Sequence, residues 1–115
     1  MQIIRTVELV GKNCITPDDG LKLRQAIVSD LTWGNDVTVD FSGVEIVASP
    51  FLNVGIGALL ETFSPADLNA HLSFDHLPTG AVEVLQRVIE NAKAYFSNPK
   101  LRGAVDEAVG EYTTH

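Results

Sequence analysis

Apolar and polar positions alternate with period two in three stretches of this chain and recur at helical spacing between them, which predicts strands and helices in turn. From Gln2 to Val10, Ile3, Val7 and Leu9 point one way and Gln2, Thr6 and Glu8 the other, as in a half-buried strand, with Arg5 out of pattern. Thr16-Pro17-Asp18-Asp19 then reads as a helix start. Thr16 can cap, Pro17 suits the first helical position, and two carboxylates meet the positive end of the helix dipole. Leu23, Ala26, Ile27 and Leu31 share one face of this first helix, and Gly34 supplies its stop. Asp36 to Phe41 is the clearest strand, with Val37, Val39 and Phe41 inward. Ser42-Gly43 turns the chain, and Val44 to Ala48 reads as a short extended piece or a loop.

Ser49-Pro50 opens a second helix reaching about Phe63, where Ser64-Pro65 is expected to end it. Ala70 to Asp75 alternates again, with Leu72 and Phe74 on one side and His71, Ser73 and Asp75 on the other. Thr79 is placed to cap a third helix, whose stripe is Leu85, Val88, Ile89, Ala92 and Phe96. Asn98-Pro99 breaks it and begins a last helical stretch carrying Leu101, Val105, Ala108 and Tyr112.

Strands alternating with helices imply parallel pairing through right-handed crossovers. Strands buried on both faces read as continuous apolar runs, whereas all three here alternate. The expected fold is therefore α/β: one domain spanning residues 1–115, with a small, mainly parallel sheet and helices packed mainly on one face. The second helix is apolar almost all round, from Phe51 and Leu52 to Leu59, Leu60 and Phe63. Gly55 and Gly57 inside it cost about 1 kcal/mol each relative to Ala, which close approach of another backbone would justify.

A chain of 115 residues suits a single core, and 45% apolar with 20% charged residues is ordinary globular composition. The net charge of -7 repels phosphate backbones, so nucleic acid and anionic membrane are poor partners. Cys14 is the single cysteine, Met1 to Thr6 lack the features of a secretory leader, and no apolar run is long enough to span a membrane. The expected location is cytoplasmic.

Candidate chemistry is sparse. Ser49 can cap the second helix, or accept a phosphate beside its positive end. Asp40, ending the central strand, is suited to holding the Ser42-Gly43 turn or to meeting a partner. As an aspartyl phosphoacceptor it would need an acidic pair after the first strand, where Leu9-Val10-Gly11-Lys12 stands instead. His71 and Asp75 share a strand face while His76 falls on the other, so no metal ligand set forms. Cys14 reads as a structural thiol. Without a phosphate loop, a zinc-protease motif, a nucleophile elbow or flanking carboxylates, neither an enzyme nor a cofactor is expected.

The stretch from Val37 to Asn53, Val-Thr-Val-Asp-Phe-Ser-Gly-Val-Glu-Ile-Val-Ala-Ser-Pro-Phe-Leu-Asn, resembles the signature of STAS domains, the sulfate-transporter and anti-sigma-factor-antagonist modules. It is closer to the STAS-like family of unknown function, whose loop is Ser-Ser-Phe-Leu-Asn or similar. Ser49, Phe51, Leu52 and Asn53 match that form, as do Gly57 and the Gly20-centred start of the first helix. The resemblance implies a bacterial regulatory module that binds a protein, a histidine-kinase-like ATPase being the natural partner class. Asp40, Ser42, Ser49, Phe51 and Asn53 are its candidate contacts. Bacterial antagonists are switched by phosphorylation of a loop serine. Here Pro50 holds that place, Ala48 replaces the usual Asp, and Ser49 stands one position earlier. Other readings are a Ser49 phosphoswitch, small-ligand or nucleotide binding on the polar sheet face (Thr38, Asp40, Ser73), and self-assembly into a homo-oligomer.

Overall fold

The computed structural model describes residues 2–97. The last predicted helical stretch, with Leu101, Val105, Ala108 and Tyr112, lies outside them. In chain order the elements are β1 (Gln2–Arg5), α1 (Thr6–Val10), β2 (Asn13–Cys14), α2 (Pro17–Thr32), β3 (Val37–Asp40), β4 (Ile46–Val47) and α3 (Ser49–Gly55). A 3-10 segment (Gly57–Glu61), α4 (Pro65–His71), β5 (Leu72–Asp75) and α5 (Ala81–Ser97) complete them. β1, β3 and β5 form a parallel sheet in the order β1-β3-β5, and β2 pairs in parallel with β4 as a separate two-stranded ribbon.

Register sorts the side chains onto two faces. Ile4, Val39 and Phe74 lie in one row and Val37 with Leu72 in another, all on the core face. Arg5, Asp40 and Asp75 share a row on the opposite face, as do Ile3, Thr38 and Ser73. Among the described residues, the buried helical side chains, including Leu23, Ile27, Phe51, Leu52, Leu85 and Val88, join Val37 and Val39 in one cluster. The chain is thus an α/β domain with its helices on one side of a small parallel sheet.

The first strand is shorter than its alternation predicts. It ends at Arg5, and Thr6 opens a helical turn. Ile4, Val7 and Val10 pack against the core at a spacing of three, while Ile3, expected inside, is 58% exposed. Arg5 marks where period two gives way to a helical repeat. Thr6 is fully buried, and its hydroxyl has no hydrogen-bond partner among the described residues.

α2 follows its sequence signals. Thr16 Oγ1 accepts from the Asp19 N–H at 3.1 Å, and Pro17 takes the first position. At the far end Gly34 (φ 82°) donates to the Leu31 carbonyl and Asn35 to that of Asp30, each at 3.0 Å, a Schellman closure that needs a left-handed residue. Its Gly20 lies against α3 so closely that a Cβ there would sit 2.5 Å from the Phe51 carbonyl oxygen. Gly55 faces the Gly20 carbonyl in return, which is the close backbone approach its glycine implied.

The predicted second helix is interrupted. α3 stops at Gly55, and after Ile56 the chain tightens into the 3-10 segment, with Gly57 against Val88 and Ala92 of α5. Ser64-Pro65 starts a helix as well as ending one: Ser64 Oγ accepts from the Asp67 N–H at 3.1 Å, and α4 runs on to His71. β5 accordingly begins at Leu72, two residues later than predicted. α5 starts at Ala81, so Gly80 rather than Thr79 adjoins its first turn, and the Ala81 N–H donates to the Pro78 carbonyl at 2.9 Å.

Candidate functional site at the carboxyl edge of the sheet

Parallel strands deliver their carboxyl ends, and the loops that follow, to one edge of the sheet, the edge where α/β folds place ligands. Here that edge carries Asp40. One carboxylate oxygen, Oδ1, accepts from the Ser42 N–H at 2.9 Å and the Ser42 hydroxyl at 2.8 Å, and lies 3.0 Å from Nδ1 of His76. The two Ser42 bonds hold the Asp40 carboxyl below the usual carboxylate range; desolvation opposes them, and His76 adds a lesser lowering. Turn-holding by Asp40 is as the sequence predicts. His76 is the part that strand parity missed. Its φ of 58° reverses the chain just after β5 and returns the ring to Asp40.

Aspartate, serine and histidine together invite comparison with a nucleophilic triad, but the connectivity differs. A triad needs the imidazole between serine and carboxylate, so that it can take the hydroxyl proton. Here the carboxylate is the hub and the Ser42 hydroxyl donates straight to it. The three groups clasp the β3 turn to the end of β5. A second bridge closes the other end of the strands, with Asp36 Oδ1 2.7 Å from His71 Nδ1. His71 therefore ends α4 and turns toward Asp36 rather than sharing a strand face with Asp75. Among the described residues no group of three His, Cys, Asp or Glu side chains is placed to hold a metal ion.

Beyond Ser42 the loop is stapled down. The Val44 N–H donates to Phe41 O at 3.0 Å, that of Glu45 to Lys12 O at 2.8 Å, and that of Ala48 to Cys14 O at 2.9 Å. Val44 to Ala48 is thus an extended piece, with Ile46 and Val47 forming β4. In the ribbon Ile46 stands opposite Asn13 and Val47 opposite Cys14. Cys14 faces inward, fully buried, and burial, helped by Asp19, pushes its thiol up to about 11. Ile15, two residues on from Asn13, falls on the same outer face as Ile46; they are 43% and 49% exposed.

Two expectations about the start of α3 need correction. Ser49 does not cap the helix. The Leu52 N–H reaches back to the Ala48 carbonyl, so the ribbon pairing ends where the helix begins and Ala48 is the cap. Ser49 sits in the first turn, exposed, with its hydroxyl in no hydrogen bond among the described residues. Phe51 is wholly buried against the core together with Leu52, so its ring anchors α3 and is no contact surface. Ser42, Ser49, Pro50 and Asn53 are exposed, and Asp40 is half-buried.

A small parallel sheet with helices on one face, a clasped turn and an outward loop entering a helix defines an α/β module of the STAS-like kind. A family model described as a STAS-like domain of unknown function matches residues 19–78, and the chain belongs to that family. The match spans α2, the clasped turn, the loop, α3 and α4, and reaches past His76. No curated protein and no solved structure matches the chain. Among the described residues, no helix is long and apolar enough to cross a membrane.

Proposed function

We propose that this chain is a non-enzymatic regulatory module that docks a protein partner through the outer face of the β2–β4 ribbon and the loop entering α3. The observation that carries this reading is the exposure of Ile15 and Ile46, two β-branched apolar side chains, Ile46 on the ribbon opposite Asn13 and Ile15 just past the end of β2, while the ribbon is anchored by buried Cys14. Apolar side chains clustered on a surface and rimmed by polar residues suit protein contact. Ser42, Ser49 and Asn53 supply such a rim. The Asp40 clasp and the buried Phe51 hold the loop in one shape before binding, which lowers the ordering cost of association. The resemblance of the Val37–Asn53 stretch to anti-sigma-factor antagonists points to a histidine-kinase-like ATPase as the partner class.

The test places a photo-crosslinking residue at Ile46, at Asn53 and, as a control, at Glu83 on α5, and titrates a purified histidine-kinase-like ATPase from the same host. Adducts from positions 46 and 53 but not 83 support the reading. Equal labelling from all three, with the fold intact by circular dichroism, rules it out.

A Ser49 phosphoswitch remains a second reading because Ser49 is exposed and its hydroxyl is unengaged among the described residues. Phosphate there would add about -1.5 to -2 charge at the edge of the docking face. Ser49→Asp is then expected to weaken the ATPase complex, whereas Ser49→Ala leaves it unchanged. A Ser49→Asp complex of undiminished affinity would retire the switch.

A further inference from the structure

α3 presents an exposed line to solvent, with Ser49 and Asn53 one turn apart on it. Beyond Asn53 that line runs into an open groove of about 520 Å³ between the start of the 3-10 segment and the second half of α5. Asn53, Gly57 and Ala58 stand on one wall, and Asn91, Ala92 and Tyr95 on the other. The floor is set by Gly57, which lets the 3-10 segment run hard against α5: a Cβ there would stand 3.2 Å from Val88 Cγ1 and 3.6 Å from Ala92 Cβ. None of the described residues lining the groove is charged, in a chain with 20% charged residues and a net charge of -7. Its polar side-chain groups include the amides of Asn53 and Asn91, both exposed, and the half-buried Tyr95 adds an aromatic ring. Depletion of charge together with an aromatic residue is the composition of the centre of a protein contact rather than of ordinary surface.

We infer that this groove continues the docking face and receives a helix of the docked partner, laid along α5 with an uncharged face between Asn53 and Tyr95. The inference rests on the docking reading proposed above and adds to it the form of the partner's contact. Continuity comes from Asn53, which belongs both to the polar rim beside the ribbon and to the wall of the groove. The choice of a helix follows from the walls. Both are helical, so they offer side chains and no strand edge for a partner to pair with. A helix brings its own backbone already hydrogen-bonded and meets such a groove with side chains alone. The small residues Gly57, Ala58 and Ala92 let it approach closely, and the uncharged lining matches an uncharged helix face without leaving a buried charge unpaired.

The test places the photo-crosslinking residue at Asn91 of the full chain and repeats the titration with the purified ATPase, using Gln86, exposed on α5 outside the groove, as the control position. Adducts from position 91 and not from 86 are expected. Peptide mass spectrometry should map the adducts from positions 53 and 91 to one segment of the ATPase, at residues spaced about three or four apart. Asn91→Arg puts a longer, charged side chain into the groove. It should weaken the complex by about tenfold or more with an unchanged circular dichroism spectrum, whereas Gln86→Arg should leave affinity as it is. Labelling from positions 46 and 53 without labelling from 91, or an Asn91→Arg complex of native affinity, would overturn the groove and leave the docking face standing. Loss of labelling from 46 and 53 as well, with the fold intact, would remove both. Adducts from 91 that join a second copy of this chain, or that map to its own residues 98–115, would also overturn the inference.

Discussion

The backbone contact between α2 and α3 makes a sharp test, because Gly20→Ala sets two effects of opposite sign against each other. Alanine in place of glycine inside a helix is worth up to about 1 kcal/mol of stabilisation from propensity alone. At this position, however, the new methyl would lie 2.5 Å from the Phe51 carbonyl oxygen and 3.2 Å from both the Gly55 nitrogen and the Val54 Cβ. The blocking atoms are mostly backbone, so no side-chain rotation relieves them. α2 and α3 must separate by most of an ångström, and a gap of that size forfeits a quarter to a half of each van der Waals contact across it. Leu23 on α2 and Phe51 and Leu52 on α3, all fully buried, depend on that packing. Overpacking of this kind costs about 1–3 kcal/mol, so the net effect is a loss of about 1–2 kcal/mol. In urea, with a slope of about 1–2 kcal/mol/M, the midpoint should fall by about 1 M. Thermal unfolding should shift down by about 5–15 °C for a domain of this size. Gly57→Ala is the internal comparison. Its methyl meets the Val88 side chain at 3.2 Å and Ala92 at 3.6 Å, and Val88 can give, so the loss should be smaller. Gly55→Ala, facing the Gly20 carbonyl and Leu23 at 3.3 Å, should fall between them. Combined with Gly20→Ala it should cost less than the sum, since one separation of the helices relieves both clashes. A Gly20→Ala protein as stable as the native chain, with an unchanged urea slope, would refute the reasoning.

Other predictions follow from single groups. Thr6→Val replaces a buried hydroxyl that has no partner among the described residues by a methyl of the same shape, and should stabilise the domain by about 1 kcal/mol, seen as a raised melting temperature. Asp40 is held below its ordinary range when folded, so its contribution is present above the unfolded value of about 3.9 and is lost as pH falls through the folded one. Asp40→Asn should therefore be less stable than the native chain at pH 7, with the gap closing in denaturant titrations carried below about pH 4. A gap constant with pH would mean the carboxylate charge plays no part. Cys14 titrates at about 11 in the fold, against about 8.5 when unfolded, so stability should decline as pH rises through that window. At pH 8 iodoacetamide should label Cys14 only as fast as the domain opens, which labelling under increasing urea will show.

Features carried by a few neighbouring residues were legible beforehand. The Thr16 cap, the Gly34 stop, the inward Val37, Val39 and Phe41, and the stripe on α5 are each a local pattern, and each is found where the pattern puts it. Asp40 holding Ser42 is local as well, a bond across two residues. Even the glycine at 55 signalled a close neighbour, because its cost in a helix called for a return. Legibility failed where two local readings were equally good. Ser64-Pro65 can finish one helix or start another, and Ile3 or Ile4 can face inward according to where β1 ends.

Contacts joining distant parts of the chain belonged to the tertiary structure. The ribbon brings Asn13-Cys14 to Ile46-Val47 through two paired positions each, too few to write a periodicity. That pairing makes Ala48 the cap of α3, frees Ser49 and turns Phe51 into the core. The His76–Asp40 and His71–Asp36 bridges span some 35 residues and depend on β5 lying beside β3. Side-chain periodicity and capping chemistry act over one or two turns of chain and so settle the elements and their inner faces. Which loop residue points out, which histidine finds a carboxylate and where a cavity is left all follow from how those elements close upon one another.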